Sequence, residues 1–326
     1  METAAANSIS RKHIHIINPA SGRGESFISS VREQAKLTGS DFYISEKFGH
    51  VEKTVREALQ KEPTAHIISY GGDGTVYEVV NGIMNSGCAA TASFSVVPAG
   101  SGNDFSSYAN SPALYNEKER PIDLIRVTSD GKTRYFANMM NIGFDCAVVK
   151  ETYSLKKSPL FRGSMAYIAG VVKVLAVKKT IKANITLSGV ESSSDCDVPL
   201  NKVISYDKDI LLTACANGKF CGGGFMAAPL AEMTDGIMDV LVVNGVSRRK
   251  FISLVGDYRS GTYINSDGKM KNNFYGTLSY IKCRKMEITG PEYFCLDGEI
   301  FETGSERTIT AEVIPDAVRF IPTHIK

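Results

Sequence analysis

The sequence predicts an α/β domain, with a parallel sheet covered by helices on both faces, followed by a mostly antiparallel β-sandwich domain. Strand and helix signals alternate over about the first 128 residues, which is typical of a parallel sheet. Short strand signals separated by turn residues dominate the rest of the chain, which favours an antiparallel sheet or sandwich. The 326 residues, 43% of them hydrophobic, are enough for two such domains.

In the first domain, apolar runs predict four strands, and amphipathic patterns predict three helices between them. In chain order these are strand 13–18, helix 26–37, strand 41–45, helix 51–60, strand 66–70, helix 76–84 and strand 93–97. The helix at 51–60 is clear because Val51, Val55 and Leu59 fall on one face. Thr75 and Glu78 have the spacing of a capping box, which predicts that Thr75 caps the third helix.

In the second domain, the predicted strands are short and turns lie between many of them. They cover residues 135–140, 181–187, 210–216, 238–243, 280–284, 286–289, 293–296 and 308–313. One helical stretch at 160–177 interrupts them, and its basic ends suit either a membrane-surface segment or a helix packed on the domain. Because no long Pro, Gly or Ser linker is present, we expect the two domains to pack closely around a cleft.

Composition excludes some functions and favours a location. The net charge of +2 gives nucleic-acid binding no support. The seven cysteines are scattered without a Cys-x-x-Cys pair, which favours reduced thiols in a cytoplasmic protein. The longest apolar stretch, residues 165–177, contains Lys173 and falls short of the roughly 20 residues that span a bilayer.

Three glycine-containing loops follow predicted strands, and a parallel sheet places all three at one edge. They cover residues 18–24, 71–75 and 98–104. Backbone N–H groups and the helix dipole at such turns bind phosphate, and glycine lets the backbone approach the anion. Asp73 would repel phosphate unless its carboxylate holds a metal ion or handles a proton. This combination points to phosphoryl transfer.

The first and third of these loops also have simpler interpretations. Residues 18–24 form either a phosphate-binding loop that includes the basic Arg23 or an ordinary turn. This loop matches neither the P-loop nor the dinucleotide-binding pattern. At 98–104, Asn103 and Asp104 are either part of the site or capping residues of the next helix.

Acidic residues after the three loops are further candidates for catalytic or metal-binding roles. Asp297 and Glu299 flank Gly298 in a pattern typical of a hairpin turn, and either carboxylate is a candidate to accept the proton of an attacking hydroxyl. Asp235, with its neighbouring backbone carbonyls, is either a Mg²⁺ ligand or part of a turn. Asp123, at the start of an apolar run, is either a metal partner or a capping residue.

With these motifs, the chain resembles the diacylglycerol kinase catalytic superfamily, which includes the sphingosine kinases, and is most similar to its soluble bacterial lipid kinases. Gly-Gly-Asp-Gly alone is shared with NAD kinases and phosphofructokinases, whereas the full set is specific. The set consists of Asn-Pro-x-Ser-Gly at 18–22, Gly-Gly-Asp-Gly-Thr at 71–75, Pro-x-Gly-Ser-Gly-Asn-Asp at 98–104, Asp-Gly at 235–236 and Asp-Gly-Glu at 297–299.

The resemblance implies an ATP-binding first domain and a lipid-binding second domain with the active site between them. The first would cover residues 1–128 with a returning segment at about 314–326, and the second residues 129–313. ATP contacts would fall on Asn18, Pro19, Ala20, Ser21, Gly22, Ser45, Gly71, Gly72, Asp73, Gly74, Thr75 and Ser101.

The resemblance also assigns the catalytic and metal positions. Glu299 falls on the general base, and Asp73 on the essential acid that helps to organise catalytic Mg²⁺. Asp235 falls on a structural Mg²⁺ ligand, with backbone oxygens contributed by Glu232 and Ile237, and Asp123 falls on an acid of the same metal–water network.

The sequence therefore predicts an ATP- and Mg²⁺-dependent kinase that phosphorylates a lipid hydroxyl, with diacylglycerol as the substrate. Two alternatives stay open: a kinase of a soluble substrate, like an NAD kinase, and a catalytically inactive lipid-binding protein on the same scaffold. We expect a cytoplasmic protein that contacts the membrane surface transiently and binds no nucleic acid. The oligomeric state is open, with a homodimer as one option.

Overall fold

The computed structural model describes residues 11–21, 23–111, 119–156, 180–195 and 202–323. In its first part, strands and helices alternate as predicted, and the parallel strands lie in the order β2-β1-β3-β4. The elements are β1 (His13–Ile17), α1 (Gly24–Thr38), β2 (Asp41–Ile44), α2 (His50–Lys61), β3 (His66–Gly71), α3 (Asp73–Ser86), β4 (Ser93–Pro98) and α4 (Asp104–Ala109).

Helices cover both faces of this parallel sheet. Side chains alternate along a strand, and Ile14 and Ile16 of β1 pack in a core that includes Val55 of α2. Ile17 packs instead with Val31 of α1 in a separate cluster on the other face. Because the strands are parallel, their carboxyl ends lie at one edge of the sheet, and the three glycine loops emerge there.

The second part is a mostly antiparallel β-sandwich, as predicted. Its strands β7, β10, β8 and β13 pair in that order, and β10 also pairs with β11. The elements are β5 (Arg120–Ser129), β6 (Lys132–Phe136), β7 (Met139–Gly143), α5 (Phe144–Lys156), β8 (Ile181–Val190), β9 (Ser192–Ser193), β10 (Lys202–Ala216), β11 (Met238–Asn244), α6 (Arg248–Ser260), β12 (Leu278–Cys283), β13 (Lys285–Thr289), β14 (Tyr293–Leu296), β15 (Glu299–Glu302) and β16 (Thr308–Phe320).

The long strand β16 joins the two parts. Its first half pairs with β13, and its last residues, Arg319 and Phe320, pair in parallel with Ser93 and Phe94 of β4. β5 pairs with β16 along both halves, with a bulge between Ile314 and Val318. The domain limits that we assigned remain predictions, because β5 and β16 belong to both parts of the sheet.

Some local predictions were wrong. The predicted strand 135–140 is two strands, β6 and β7. The predicted capping box does not form, because α3 begins at Asp73 and its N-cap is Gly72. Glu78 instead accepts hydrogen bonds from the backbone N–H groups of Val51 (2.9 Å) and Glu52 (3.3 Å), in the first turn of α2. The predicted helix at 160–177, the first ten residues and Cys196 lie outside the described residues.

Candidate active site

The turn between β3 and α3 presents backbone N–H groups at the edge of the sheet. A Cβ atom added to Gly71 would lie 2.2 Å from Thr75 Oγ1, so only glycine fits at the end of β3. Gly72 has an extended backbone and precedes Asp73, the first residue of α3. The first N–H groups of a helix have no carbonyl partner within it, and together with the helix dipole they attract phosphate oxygens.

The loop after β1 lies directly against this turn. Asn18 donates from Nδ2 to Thr75 Oγ1 at 3.2 Å, and its Oδ1 accepts from the backbone N–H of Ala20 at 3.0 Å. The Asn18 side chain therefore fixes its own loop and ties it to the glycine turn. Two of the three predicted glycine loops meet through this one residue.

The other predicted ATP positions are distributed around the same edge. Ser45 is buried, and its backbone N–H donates to Ile17 O at the end of β1, at 2.8 Å. Pro19–Ser21 form a short 3-10 turn, and Ser101 is exposed in the loop after β4. Gly22 lies outside the described residues.

The loop after β4 approaches the glycine turn so closely that side chains are excluded. A Cβ atom on Gly100 would lie 2.5 Å from the Cα atom of Gly72. Asn103 has a φ of 58° and binds Gly100 through both ends of its amide group, at 2.9 and 2.8 Å. Arg23 donates to Pro98 O at 2.6 Å, which connects this loop with the loop after β1. The structure thus brings all three predicted loops together.

Two carboxylates, Asp73 and Asp104, lie at the centre of this arrangement. Asp73 Oδ1 accepts from the backbone N–H of Phe105 at 3.0 Å, at the start of α4. Asp104 accepts from the N–H groups of Gly223 and Gly224 in the second part of the chain, at 2.9 Å each. Burial raises the pKa of both carboxyl groups, and the charge of Asp73 helps to raise that of Asp104 to about 6.

The arrangement of these two carboxylates fits a divalent cation. A Cβ atom on Gly102 would lie 2.9 Å from Asp73 Oδ2 and 3.5 Å from Asp104 Oδ2, so the two acids flank one small space. Two neighbouring buried carboxylates are stabilised by a bound positive charge, and carboxylate oxygens are ligands that Mg²⁺ prefers.

The sequence alone did not lead us to Gly223 and Gly224, the partners of Asp104. Residues 222–224 are three consecutive glycines with positive φ angles of 60°, 79° and 109°. Such a backbone is open to glycine and strained for other residues, which lets the loop turn its N–H groups towards Asp104. The Gly-Gly-Gly run in the sequence was the available signal for this contact.

The hairpin of β14 and β15 places Glu299 over the glycine turn. A Cβ atom on Gly74 would lie 2.6 Å from Glu299 Oε1. A second contact joins the same two elements: the ring centroids of Tyr77 in α3 and Phe301 in β15 lie 5.7 Å apart. The structure therefore brings Glu299 from the second part of the chain to the residue next to Asp73.

The other acid of this hairpin, Asp297, has a structural role. Its two carboxylate oxygens accept hydrogen bonds from the backbone N–H groups of Ala137 (3.0 Å), Asn138 (3.1 Å) and Met139 (2.8 Å). These bonds hold the turn that divides β6 from β7. Of the two candidate proton acceptors, Glu299 is the one whose carboxylate reaches the glycine turn.

The predicted metal residues lie near one another, around the loop before β11, but several of their oxygens already have partners. Asp123 Oδ2 accepts from the N–H of Gly236 at 2.7 Å, and burial raises the pKa of Asp123. Glu232 accepts from Tyr108 Oη at 2.8 Å and lies 3.3 Å from Lys219 Nζ. Among the described residues, no three His, Cys, Asp or Glu side chains form a group that could hold a metal.

A cation from the chain itself, the ammonium group of Lys282 in β12, reaches this loop. Lys282 Nζ lies 3.3 Å from Asp235 Oδ2 and 3.2 Å from Asp239 Oδ2, and it donates to Leu230 O at 2.9 Å. Asp235 Oδ1 also accepts from the N–H of Ile237 at 3.1 Å. A divalent cation at the Asp235 carboxylate does not fit without displacement of Lys282. The metal roles of Asp123, Glu232, Asp235 and Ile237 stay predictions.

We expect Lys282→Met to lower the free energy of unfolding by about 3–5 kcal/mol, because it leaves the buried Asp239 carboxylate without its cation. Urea unfolding measures the change, and the exposed Lys285→Met is the control with little effect. Unchanged stability of Lys282→Met relative to the wild type would contradict this role for Lys282.

Buried carboxyl groups also predict that stability falls as the pH rises. Burial raises the pKa of Asp104, Asp145 and Asp239 to about 6 and that of Asp297 to about 7, from an ordinary value of 3.8. The folded state therefore retains protons that the unfolded state releases, so stability is lost between about pH 4 and pH 7. We expect the melting temperature to fall from about pH 4 to pH 7, with a shallower slope in Asp145→Asn. A profile that rises with pH would refute the prediction.

A cavity of about 70 Å³ lies in the second part, between α6 and the sheet, and its walls are mostly apolar. Cys221 lines it and immediately precedes the run of three glycines, of which Gly223 and Gly224 bind Asp104. The cavity is therefore one short loop away from the two carboxylates. Its lining includes Phe144, Leu212, Phe225, Phe251, Leu254 and Phe274.

Comparison with known proteins gives two family matches that together span most of the chain. Residues 12–139 match the diacylglycerol kinase catalytic domain. Residues 138–322 match the YegS C-terminal NAD kinase beta sandwich-like domain. The boundary between the two matches lies at the turn between β6 and β7.

Individual relatives are similar in sequence or in fold. A protein of Xanthomonas euvesicatoria named "Probable lipid kinase YegS-like" is 30% identical over 213 residues, which span 62% of this chain and 63% of that protein. One of the same name from Shewanella frigidimarina is 26% identical over 306 residues, 90% of this chain and 87% of that protein. A crystal structure described as a diacylglycerol kinase from Bacillus anthracis shares the fold, with a TM-score of 0.63 at 20% identity, over 96% of this chain and 97% of that one.

Proposed function

The chain belongs to the diacylglycerol kinase catalytic superfamily, among the YegS-like lipid kinases, and we propose that it transfers the γ-phosphate of ATP to the hydroxyl group of diacylglycerol. One observation carries this proposal: Glu299 reaches Gly74, which follows Asp73 in the glycine turn. A proton acceptor, an anion-binding turn and an acidic pair thus share one site at the junction of the two parts.

In this proposal the three loops bind the triphosphate. The N–H groups at the start of α3 and in the loop after β1 face its oxygens, and charge-assisted hydrogen bonds of this kind are among the stronger ones. The close approach of Gly72 and Gly100 supports this role, because it keeps side chains out of the space beside the turn. Ser45 and Ser101 are proposed as further contacts at the same edge.

Mg²⁺ bound with the nucleotide would neutralise charge on the phosphate oxygens. Asp73 is the residue proposed to hold it, with Asp104 beside it. The chain's own contribution is to keep both carboxylates in place. The N–H of Phe105 orients Asp73, and the Gly223 and Gly224 N–H groups orient Asp104.

Glu299 is proposed as the general base. Its carboxylate accepts the proton of the lipid hydroxyl while that oxygen forms a bond to the γ-phosphorus. The bond from the γ-phosphorus to the bridging oxygen breaks, and ADP leaves with that oxygen. Negative charge that spreads over the transferred group is stabilised by the N–H groups of the turn.

The lipid is proposed to bind in the second part of the chain. Aromatic and aliphatic side chains line the cavity beside Cys221, which favours hydrocarbon over a soluble substrate. Its walls must move apart to admit an acyl chain, because about 70 Å³ holds only a few methylene groups. The cavity's position next to the Asp104-binding loop would direct the lipid headgroup towards the acidic pair. We also propose that the protein is cytoplasmic and reaches its substrate at the membrane surface.

The test is transfer of labelled phosphate from ATP to two acceptors, vesicles that contain diacylglycerol and soluble NAD. NAD is a necessary comparison because the matched second domain is described as NAD kinase beta sandwich-like. We expect labelled phosphatidic acid with Mg²⁺ present. Transfer to NAD alone would contradict the lipid proposal, and absence of transfer to a panel of lipid alcohols would favour an inactive lipid-binding protein.

A further inference from the structure

Helix α6 forms one wall of the apolar cavity and has two different faces. Its N-cap, Ser247, accepts a hydrogen bond from the backbone N–H of Lys250 at 3.2 Å, and the helix ends at Gly261 in the left-handed region. Phe251, Leu254 and other inward side chains line the cavity. The outward face of this helix is therefore the outer wall of the proposed lipid site.

This outward face combines basic side chains with an exposed apolar one. Arg248, Ile252 and Arg259 are spaced by four and seven residues, which places them along one stripe of the helix. The stripe also contains Val255, which lines the cavity, so it runs along the cavity's edge. Ile252 is 61% exposed, and Arg249 is exposed beside it. Tyr275, in the loop before β12, is a second large apolar side chain in this region, with 53% of its surface exposed.

The charge of this region differs from that of the whole chain. Residues 246–275 contain six Lys or Arg and two Asp, a net charge of +4, whereas all 326 residues together carry +2. Both acids form ion pairs with lysines of the segment: Asp257 with Lys271 at 2.7 Å and Asp267 with Lys269 at 3.3 Å. The other four basic residues, Arg248, Arg249, Lys250 and Arg259, all lie on α6.

We propose that the outward face of α6 docks on a bilayer that contains anionic phospholipid. Basic residues next to exposed apolar side chains are the composition that binds such surfaces, through attraction to the headgroups and insertion of the apolar groups. The interaction is peripheral, and none of the helices in the described parts of the chain is long and apolar enough to cross a membrane. The proposal rests on the proposed lipid kinase function, because it places the cavity wall against the membrane that holds the substrate.

Co-sedimentation with vesicles tests this surface without any measurement of activity. The protein is mixed with vesicles of phosphatidylcholine alone or with phosphatidylglycerol added, at low and high salt. We expect binding to the anionic vesicles that weakens with salt, since the Debye length shortens. We expect the variant R248Q/R249Q/I252Q to bind at least ~20-fold more weakly, because each basic residue near an anionic surface contributes roughly fivefold.

A matched control comes from α1. R32Q/K36Q/L37Q also removes two basic residues and one apolar side chain, and Leu37 is 88% exposed. We expect this control to bind as the wild type does, and circular dichroism melting verifies that both variants fold. Wild-type binding in the α6 variant, an equal loss in the α1 control, or no wild-type binding to anionic vesicles would overturn the proposed surface.

An activity measurement separates this proposal from the proposed function. On a short-chain, water-soluble diacylglycerol, the α6 variant should turn over as the wild type does, because the substituted residues do not contact the reacting groups. Vesicle binding with no kinase activity in the wild type would overturn the function but leave the surface supported. Equal activity of the α6 variant and the wild type on anionic vesicles would overturn the surface.

Discussion

We expect Glu299→Gln to lower phosphate transfer by ~10²–10⁴-fold, the usual contribution of a general base. Gln keeps the size of the side chain beside Gly74 but cannot take the hydroxyl proton. ATP binding, measured by calorimetry, should change little because the nucleotide loops are untouched. The melting temperature should also stay close to that of the wild type.

Asp297→Asn is the matched control for this experiment, since it makes the same chemical change two residues away. An amide cannot accept the three backbone hydrogen bonds that the Asp297 carboxylate accepts. We expect a loss of about 1–3 kcal/mol in the free energy of unfolding, the cost of unsatisfied buried groups. Full turnover in Glu299→Gln, or a loss of turnover explained by unfolding, would remove Glu299 from the mechanism.

The second large effect is expected for Gly74→Ala, with turnover reduced by ~100-fold. The added methyl group would lie 2.6 Å from Glu299 Oε1, so the carboxylate must move away from the glycine turn. A displacement of about 1 Å of a reacting group is enough for a loss of that size. Steady-state kinetics with the water-soluble diacylglycerol measures the change in kcat.

Gly256→Ala provides the comparison for this substitution. Gly256 lies in α6, and no other atom would lie within 4 Å of its added Cβ, leaving out chain neighbours and nearby helix backbone. Alanine favours a helix over glycine, so this variant should be as stable as the wild type or more so, with unchanged kcat. If Gly74→Ala matched Gly256→Ala in kcat, the close contact between Gly74 and Glu299 would have no importance for the reaction.

The fold of the first part could be predicted because its signals are local. The strands are marked by mostly apolar runs, and α2 has a one-sided apolar pattern formed by Val51, Val55 and Leu59. Other features depend on distant residues. Nothing in residues 135–140 indicates that Asp297 will divide them into two strands, since that carboxylate comes from a hairpin about 160 residues later.

The candidate site was predictable to the extent that topology alone positions it. Three loops after parallel strands must share an edge, and the structure brings them together through Asn18 and Gly100. No comparable rule of topology predicts which residues meet in the second part of the chain. The position of Lys282 between Asp235 and Asp239 depends on the pairing of β11 with β12, which a single sequence does not specify.

The bulge of β16 limits how the two parts can move. β5 and β16 pair on both sides of it, so a hinge that opened the cleft between Gly74 and Glu299 would have to bend this ribbon. Asp123 Oδ1 accepts from the N–H of Asp316 within the bulge, at 2.9 Å, while its other oxygen binds the N–H of Gly236. A rotation that bends the ribbon at this bulge would therefore break the two buried hydrogen bonds of Asp123, so the structure resists wide opening of the cleft.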